Sequence, residues 1–157
     1  MHALCTVVAK SREAINRIIE DMAESGQWDY GIIGGRYDRL IPVGHKVKDY
    51  QPRNFPFNDT EMYAENGFPF PGRENNFDCK YVSIARIRNV KWGEVGRMET
   101  LGIPTITNPH SYILGSDNGI DHSDEIFVTE DTTAALCDYL TVPLHSSYFI
   151  AVIDYHF

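Results

Sequence analysis

The stretch HALCTVVAKSREAINRIIEDMAESG, residues 2–26, contains two patterns that together predict a strand followed by a helix. From His2 to Ala9 the residues are mostly apolar and include valine and threonine, which is typical of a strand. Ser11 fits the N-cap of the helix that follows, and Gly26 fits its C-terminal end. Between them, apolar residues recur at the i, i+3, i+4 and i+7 spacing of one helix face. They are Ile15, Ile18, Ile19 and Met22.

The rest of the chain is predicted to continue this alternation of strands and helices. Further strands are predicted at 28–33, 80–87, 111–114, 126–128 and 147–157, with 36–43 as a continuation of the second strand; further helices are predicted after Asn89 and after Thr129 or Asp131. An Asn-Gly turn at Asp117-Asn118-Gly119 is expected to separate two of these strands. The order favours an α+β fold with a mostly antiparallel sheet, helices on one face and a ferredoxin-like tendency.

An irregular insertion is expected at about residues 44–78. It contains four prolines and several aromatic residues, and proline interrupts regular helices and strands. The aromatic residues indicate that the segment packs against the protein, either as a cover over one sheet face or as a lid over a ligand. The 157 residues are otherwise expected to form a single domain.

Composition excludes several classes of function. The formal net charge is −8, which disfavours direct binding to nucleic acid but still allows a local pocket for a small anion. The cysteines Cys5, Cys79 and Cys137 include no CxxC pair, so neither a zinc site nor a redox motif is indicated, and no cofactor is expected. No signal peptide or membrane span is recognisable, which predicts a cytoplasmic protein without a membrane partner.

Gly34-Gly35-Arg36 is the first candidate site. Two glycines allow backbone N–H groups to approach a ligand closely, and arginine offers a planar, bidentate fork for phosphate. The aromatic rings of Trp28 and Tyr37 flank this segment and are suited to stacking on a base. We therefore predict that Gly34, Gly35, Arg36, Trp28 and Tyr37 bind a ligand, although the segment matches neither of the usual phosphate-loop motifs.

Other interpretations of these residues stay open. The glycines also fit a strand bulge in which Arg36 pairs with Asp29 or Asp38. Aromatic residues such as Trp28 are also typical of a protein core. A regular strand would place Arg36 and Arg39 on opposite faces, so a clamp formed by both is not expected.

Asp154 and His156 are the second candidate site. Two residues apart on a strand, their side chains share a face, and a carboxylate beside an imidazole can orient it as a general base. The same residues could instead bind a metal with His110 or His122 as a third ligand, or form a structural hydrogen-bonded pair at a polar edge. The metal reading has no supporting motif, so no metal site is predicted.

Two segments resemble a family of small phage and prophage proteins. Trp28-Asp29-Tyr30 followed by Ile33-Gly34-Gly35-Arg36-Tyr37 is similar to that family's WDWY-x-IGGRW segment, and Val152-Ile153-Asp154-Tyr155-His156-Phe157 is similar to its closing VVDCHI. The chain departs from the pattern where Tyr30 follows Asp29 directly, where Tyr37 replaces tryptophan and where Tyr155 replaces cysteine. The family is largely uncharacterised, so the resemblance implies a phage context and no particular reaction.

A phage context leads to three hypotheses. The first is an accessory, anti-defence protein in the host cytoplasm that sequesters a nucleotide-like ligand or binds a host defence protein, without chemistry of its own. The second is a nucleotide phosphodiesterase or lyase with His156 and Asp154 as catalytic residues. The third is a structural protein of the virion. All three hypotheses are compatible with a homo-oligomer.

Overall fold

The computed structural model of the protein describes residues 1–48, 78–115 and 124–157. Most of the expected insertion and the Asp117-Asn118-Gly119 turn lie outside these ranges. Within them, helices combine with a mostly antiparallel sheet, so the predicted α+β class is confirmed. None of the described helices has both the length and the apolar character needed to cross a membrane.

The described residues form strands, helices and short 3₁₀ turns. The strands are β1 (His2–Ala9), β2 (Tyr30–Ile33), β3 (Ile41–Lys48), β4 (Asp78–Val82), β5 (Ile84–Arg86), β6 (Ser111–Leu114), β7 (Ile126–Phe127) and β8 (Phe149–His156). The helices are α1 (Arg12–Glu24), α2 (Trp92–Thr100) and α3 (Glu130–Thr141). The 3₁₀ turns are Gly35–Tyr37, Ile87–Asn89 and Pro143–Ser147.

The main sheet has the order β2-β8-β1-β6-β7, and β5 pairs with the part of β8 that β2 leaves free. Strands β1 and β6 are parallel, whereas the other pairs are antiparallel. Strands β1 and β8 pair along their whole length, from His2 opposite His156 to Ala9 opposite Phe149. The last strand therefore lies inside the sheet, between the first and the second.

The ferredoxin-like arrangement is not confirmed, because β2 pairs with β8 and does not form a hairpin with the strand that follows it. The expected continuation of β2 through 36–43 is wrong. Positive φ angles at Gly34 (84°), Gly35 (54°) and Arg39 (61°) turn the chain out of the main sheet. It then enters β3, which pairs with β4 in a separate two-stranded sheet. Strand β3 extends to Lys48 and so includes the first residues of the expected insertion.

Both faces of the main sheet are covered, so the expectation of helices on one face is wrong. Ala3, Cys5 and Val7 of β1 face the buried side of α1. On the other side, Leu4 and Val8 pack in a second cluster that includes residues of α2 and α3. The reason lies in β1 itself, because a strand that is apolar at successive positions must bury both of its faces.

Two of the three helices begin at the N-cap residue that the sequence predicts. The Ser11 hydroxyl accepts a hydrogen bond from the Ala14 N–H at 3.1 Å, which confirms the N-cap of α1. Thr129 caps α3 with its side chain, as predicted. Asn89, the expected cap of the middle helix, instead ends a 3₁₀ turn, and α2 begins three residues later.

Candidate functional site

Three rings lie in a row across one end of the main sheet. His156 on β8 lies opposite His2 on β1 and opposite Tyr30 on β2, so the three side chains share one face. The ring centroids of His2 and His156 are 5.2 Å apart, and those of Tyr30 and His156 are 5.5 Å apart with nearly parallel planes. We call His2, His156 and Tyr30 the histidine row.

Each histidine of the row has its own carboxylate. His2 Nδ1 is 2.8 Å from Asp154 Oδ1, and His156 Nδ1 is 2.7 Å from Asp29 Oδ2. Asp154 and His156 share a face as predicted, but they do not form the expected pair with each other. Asp154 bonds instead to His2, which lies diagonally across from it on β1, and His156 bonds to Asp29, the residue before β2.

The hydrogen bonds fix how the two imidazoles present their other nitrogen. An ionised carboxylate only accepts, so Nδ1–H of His2 donates to Asp154 and leaves Nε2 on the far side of the ring. His2 Nε2 lies 3.4 Å from the Tyr30 hydroxyl, a long contact that a bound group can replace. His156 Nε2 is occupied, since it accepts from the amino group of Met1 at 2.7 Å. His2 is therefore the better-placed base of the two.

Asp154 also anchors the turn that contains the first candidate site. Its Oδ2 accepts a hydrogen bond from the Arg36 backbone N–H at 2.9 Å, and the Gly34 N–H donates to the Val152 carbonyl at 2.8 Å. A Cβ atom on Gly35 would lie only 2.5 Å from Asp154 Cβ and Oδ2. Gly35 is thus required by the close approach of the turn to β8. We call residues 34–39 the arginine turn.

A buried polar network holds the other side of the arginine turn. Asp38 accepts hydrogen bonds from the Ser83 hydroxyl and, at 2.6 Å, from Arg39 Nε, while the Arg39 N–H donates to Ser83 Oγ at 2.7 Å. Asp38, Arg39 and Ser83 are all buried. A Cβ on Gly34 would lie 2.9 Å from Asp38 Oδ1. Both glycines therefore face side chains of the protein and not the solvent, which differs from the predicted role in ligand approach.

The guanidinium of Arg36 contains a nitrogen that lacks a hydrogen-bond partner. Arg36 is half-buried, and its Nε is buried without a hydrogen-bond partner. The alternative pairing with Asp29 or Asp38 is not formed, since those carboxylates bond to His156 and to Arg39 with Ser83. In the part of the chain that the structure describes, the Arg36 side chain forms no ion pair.

An open cleft of about 250 Å³ adjoins the histidine row and the arginine turn. His2 and Tyr37 line one part of it, and Asn108 and His110 line another. Burial raises the pKa of the Tyr37 hydroxyl, the negative charge of Asp154 raises it further, and the positive charge of Arg36 lowers it. The cleft thus combines the Tyr37 ring with two imidazoles and an amide, and Tyr37 lies in the electrostatic field of Arg36 and Asp154.

Trp28 lies away from this cleft. Only 1 % of its surface is exposed, its ring stacks on Tyr155 at 4.5 Å, and its Nε1–H donates to Glu125 Oε2 at 3.2 Å. It belongs to the core beneath α1, on the opposite face of the sheet. In this packing Trp28 offers no ring face to a ligand, in keeping with the alternative that it is a core residue.

The suggested metal ligands do not come together. His110 stacks on Phe157 with centroids 6.0 Å apart and meets the ring of Phe127 edge-on. Among the described residues, no group of three His, Cys, Asp or Glu side chains is arranged to hold a metal ion. His122 lies outside those residues.

His2 and Tyr30 were not among the site residues predicted from the sequence. Their signal was present in the chain, because the first predicted strand begins with a histidine and the last predicted strand has one as its penultimate residue. Antiparallel pairing of these two strands would place both histidines at one end of the sheet. The pairing itself could not be deduced from local patterns.

Comparisons with protein-family models, with curated proteins and with solved structures find no match to this chain.

Proposed function

We propose that the protein binds a small, nucleotide-like anion in the cleft between the arginine turn and the histidine row. The observation on which this depends is the unmatched Arg36 guanidinium, whose Nε is buried without a hydrogen-bond partner. An unpaired buried donor costs about 1–3 kcal/mol, and a phosphate oxygen would relieve that cost. Arginine binds phosphate through two parallel N–H groups, which favours this class of ligand.

The cleft also favours the size and shape of one nucleotide. Its volume of about 250 Å³ is small, which argues for a single nucleoside unit over a larger ligand. The Tyr37 ring at its wall is suited to stacking on a base, and the Asn108 amide can pair with base edges. With a net charge of −8, the protein repels long polyanions, while the half-buried Arg36 still attracts a small anion.

Replacing Arg36 tests this proposal. We expect Arg36→Gln to weaken nucleotide binding about tenfold or more, because it removes a charge-assisted hydrogen bond to phosphate. Isothermal titration with cyclic mononucleotides and linear nucleoside monophosphates measures the affinity. Arg17→Gln is the matched control, since Arg17 is exposed on α1, which packs on the opposite face of the sheet. Equal affinities for the two variants would contradict the assignment of Arg36.

A complete lack of binding across the panel would contradict the small-molecule proposal. The resemblance to phage proteins would then favour the other form of the hypothesis, in which the partner is a host defence protein. A pull-down from host lysate with the wild-type protein and with Arg36→Gln would measure that interaction. If the partner is a host defence protein, the wild-type protein should retain one identified host protein reproducibly in repeated pull-downs.

The pairing of His2 with Asp154 favours hydrolysis of a bound phosphodiester as a second candidate function. His2 Nε2 would take a proton from a water molecule as its oxygen attacks phosphorus. The phosphorus–oxygen bond to the leaving group would break, and the leaving alkoxide would take up the proton that His2 Nε2 then holds. This assigns the base to His2, whereas the sequence pointed to His156, because Asp154 orients the His2 ring.

Mass spectrometry of the released ligand separates binding from hydrolysis. After incubation with a cyclic nucleotide and denaturation, unchanged ligand indicates sequestration, and a gain of one water indicates hydrolysis. If turnover is found, we expect His2→Asn to reduce it about a hundredfold or more. His156→Asn is the control, since its Nε2 is already bonded to the Met1 amino group. Full turnover by the His2 variant would exclude His2 as the base.

A further inference from the structure

A second open cleft, of about 500 Å³, lies at the other end of strands β1 and β8. It is lined by Lys10, Arg86, Leu144, Ser147 and Tyr148. Lys10 directly follows the last residue of β1, whereas His2 begins that strand. At about 3.3 Å per residue, the length of the strand separates the two clefts by roughly 23 Å, so one nucleotide cannot occupy both.

The Arg86 guanidinium is held in position at this second cleft. Its Nη1 donates to the Ser147 carbonyl at 2.7 Å, and its Cζ lies 4.4 Å from the centre of the Phe149 ring. A side chain fixed in this way loses little further freedom when it binds a ligand. Its other nitrogens form no hydrogen bond with any residue that the structure describes.

Two cationic side chains line this cleft, and no Asp or Glu of the described residues lines it. Lys10 is exposed, and neither Lys10 nor Arg86 forms an ion pair within the described ranges. Two unpaired cations that face one cleft repel each other, and a bound anion would convert that repulsion into attraction.

We infer that this second cleft binds the dianion of a phosphomonoester. A phosphomonoester has a charge of about −1.5 to −2 at neutral pH, which matches two cations, whereas a carboxylate would leave one of them unbalanced. The Leu144 side chain, 66 % exposed, and the Tyr148 wall provide an apolar surface for the organic group. The ester could belong to a small molecule or to a phosphorylated side chain of another protein.

Titration of the full chain with phenyl phosphate, followed by NMR, tests the inference. We expect the backbone amides of Lys10, Ser147 and Tyr148 to shift, and phenyl sulfate, a monoanion, to bind more weakly. Lys10→Gln and Arg86→Gln should each weaken binding about tenfold. Arg88→Gln, which removes an exposed charge that does not line the cleft, should leave it unchanged. Because Lys10 is exposed, its variant remains informative even if the Arg86 variant fails to fold.

Two results would overturn the inference. One is the absence of shifts at these amides at millimolar phenyl phosphate. The other is an equal affinity for Lys10→Gln and Arg88→Gln. Repeating the titration with Arg36→Gln separates this site from the nucleotide cleft, since binding here should persist in that variant whether or not nucleotides bind. Tighter binding of a tyrosine-phosphorylated peptide than of phenyl phosphate would indicate a protein-borne ester, and equal binding a small molecule.

Discussion

The free energy of unfolding of Gly35→Ala is expected to be about 3–5 kcal/mol lower than that of the wild type. The φ angle of Gly35 is 54°, in a region that alanine adopts only at a cost. The added Cβ would also lie 2.5 Å from Asp154, which is buried and cannot move without losing its bonds to His2 and the Arg36 N–H. Urea denaturation followed by circular dichroism measures the change.

Gly26→Ala separates the two parts of this expected effect. Gly26 also has a positive φ angle, 79°, but a Cβ there would meet nothing within 4 Å. Its substitution should therefore cost only the backbone term, about 1 kcal/mol. If both variants lose the same stability, the close contact between the arginine turn and Asp154 does not exist as described.

Asp38→Ala is expected to destabilise the protein by about 3–5 kcal/mol, or to prevent folding. Asp38 and Arg39 are 0 % and 3 % exposed, and the Asp38 carboxylate accepts from Arg39 Nε and from the Ser83 hydroxyl. Without it, a buried cation and a buried hydroxyl lose an acceptor in a region of low dielectric. Thermal unfolding and the yield of soluble protein measure the effect.

Asp29→Ala is the matched control for Asp38. Asp29 also accepts a hydrogen bond from a nitrogen-bearing side chain, that of His156, but its own side chain is 66 % exposed. Surface pairs of this kind contribute less than about 1 kcal/mol, so this variant should fold with nearly wild-type stability. A loss of stability as large as that of Asp38→Ala would contradict the assignment of stability to the buried network.

Local patterns predicted the parts of the fold that depend on neighbours in sequence. The spacing of Ile15, Ile18, Ile19 and Met22 defines one helix face, and Ser11 caps the helix through an atom three residues away. Such interactions are present in any sequence that has the pattern, whatever its tertiary structure. Strand β1, helix α1 and strand β8 could therefore be located from the sequence with small errors at their ends.

The path after Gly35 could not be predicted in the same way. Arg39 adopts φ 61°, which its residue type disfavours, because its neighbour Asp38 and the distant Ser83, between β4 and β5, hold it there. The cover on both sheet faces likewise depends on which strands pair. Each of these features is stabilised by residues far apart in the chain, and a local pattern contains no record of them.

In the candidate site, too, some features follow from the local sequence and others depend on contacts between distant residues. The sequence identified Arg36, Tyr37, Asp154 and His156 by residue type, and the structure brings Arg36 and Asp154 into contact through a backbone N–H. The pairing of Asp154 with His2, by contrast, depends on the strand order β2-β8-β1. Residue type could suggest which residues belong to the site, but the strand order determines which carboxylate forms a hydrogen bond with which imidazole.

The interior position of β8 has a consequence for how the protein folds during synthesis. Strand β8 is translated after all the other described strands, yet β2 and β5 form their main-sheet ladders with it, and so does one edge of β1. While the ribosome is still reading the codons for β8, the edges that these strands will share remain unpaired and open to other chains. Strands β1, β2 and β5 therefore leave the ribosome before the β1–β8 ladder, the longest in the main sheet, can form. Chaperones that shield open strand edges would matter most during this interval.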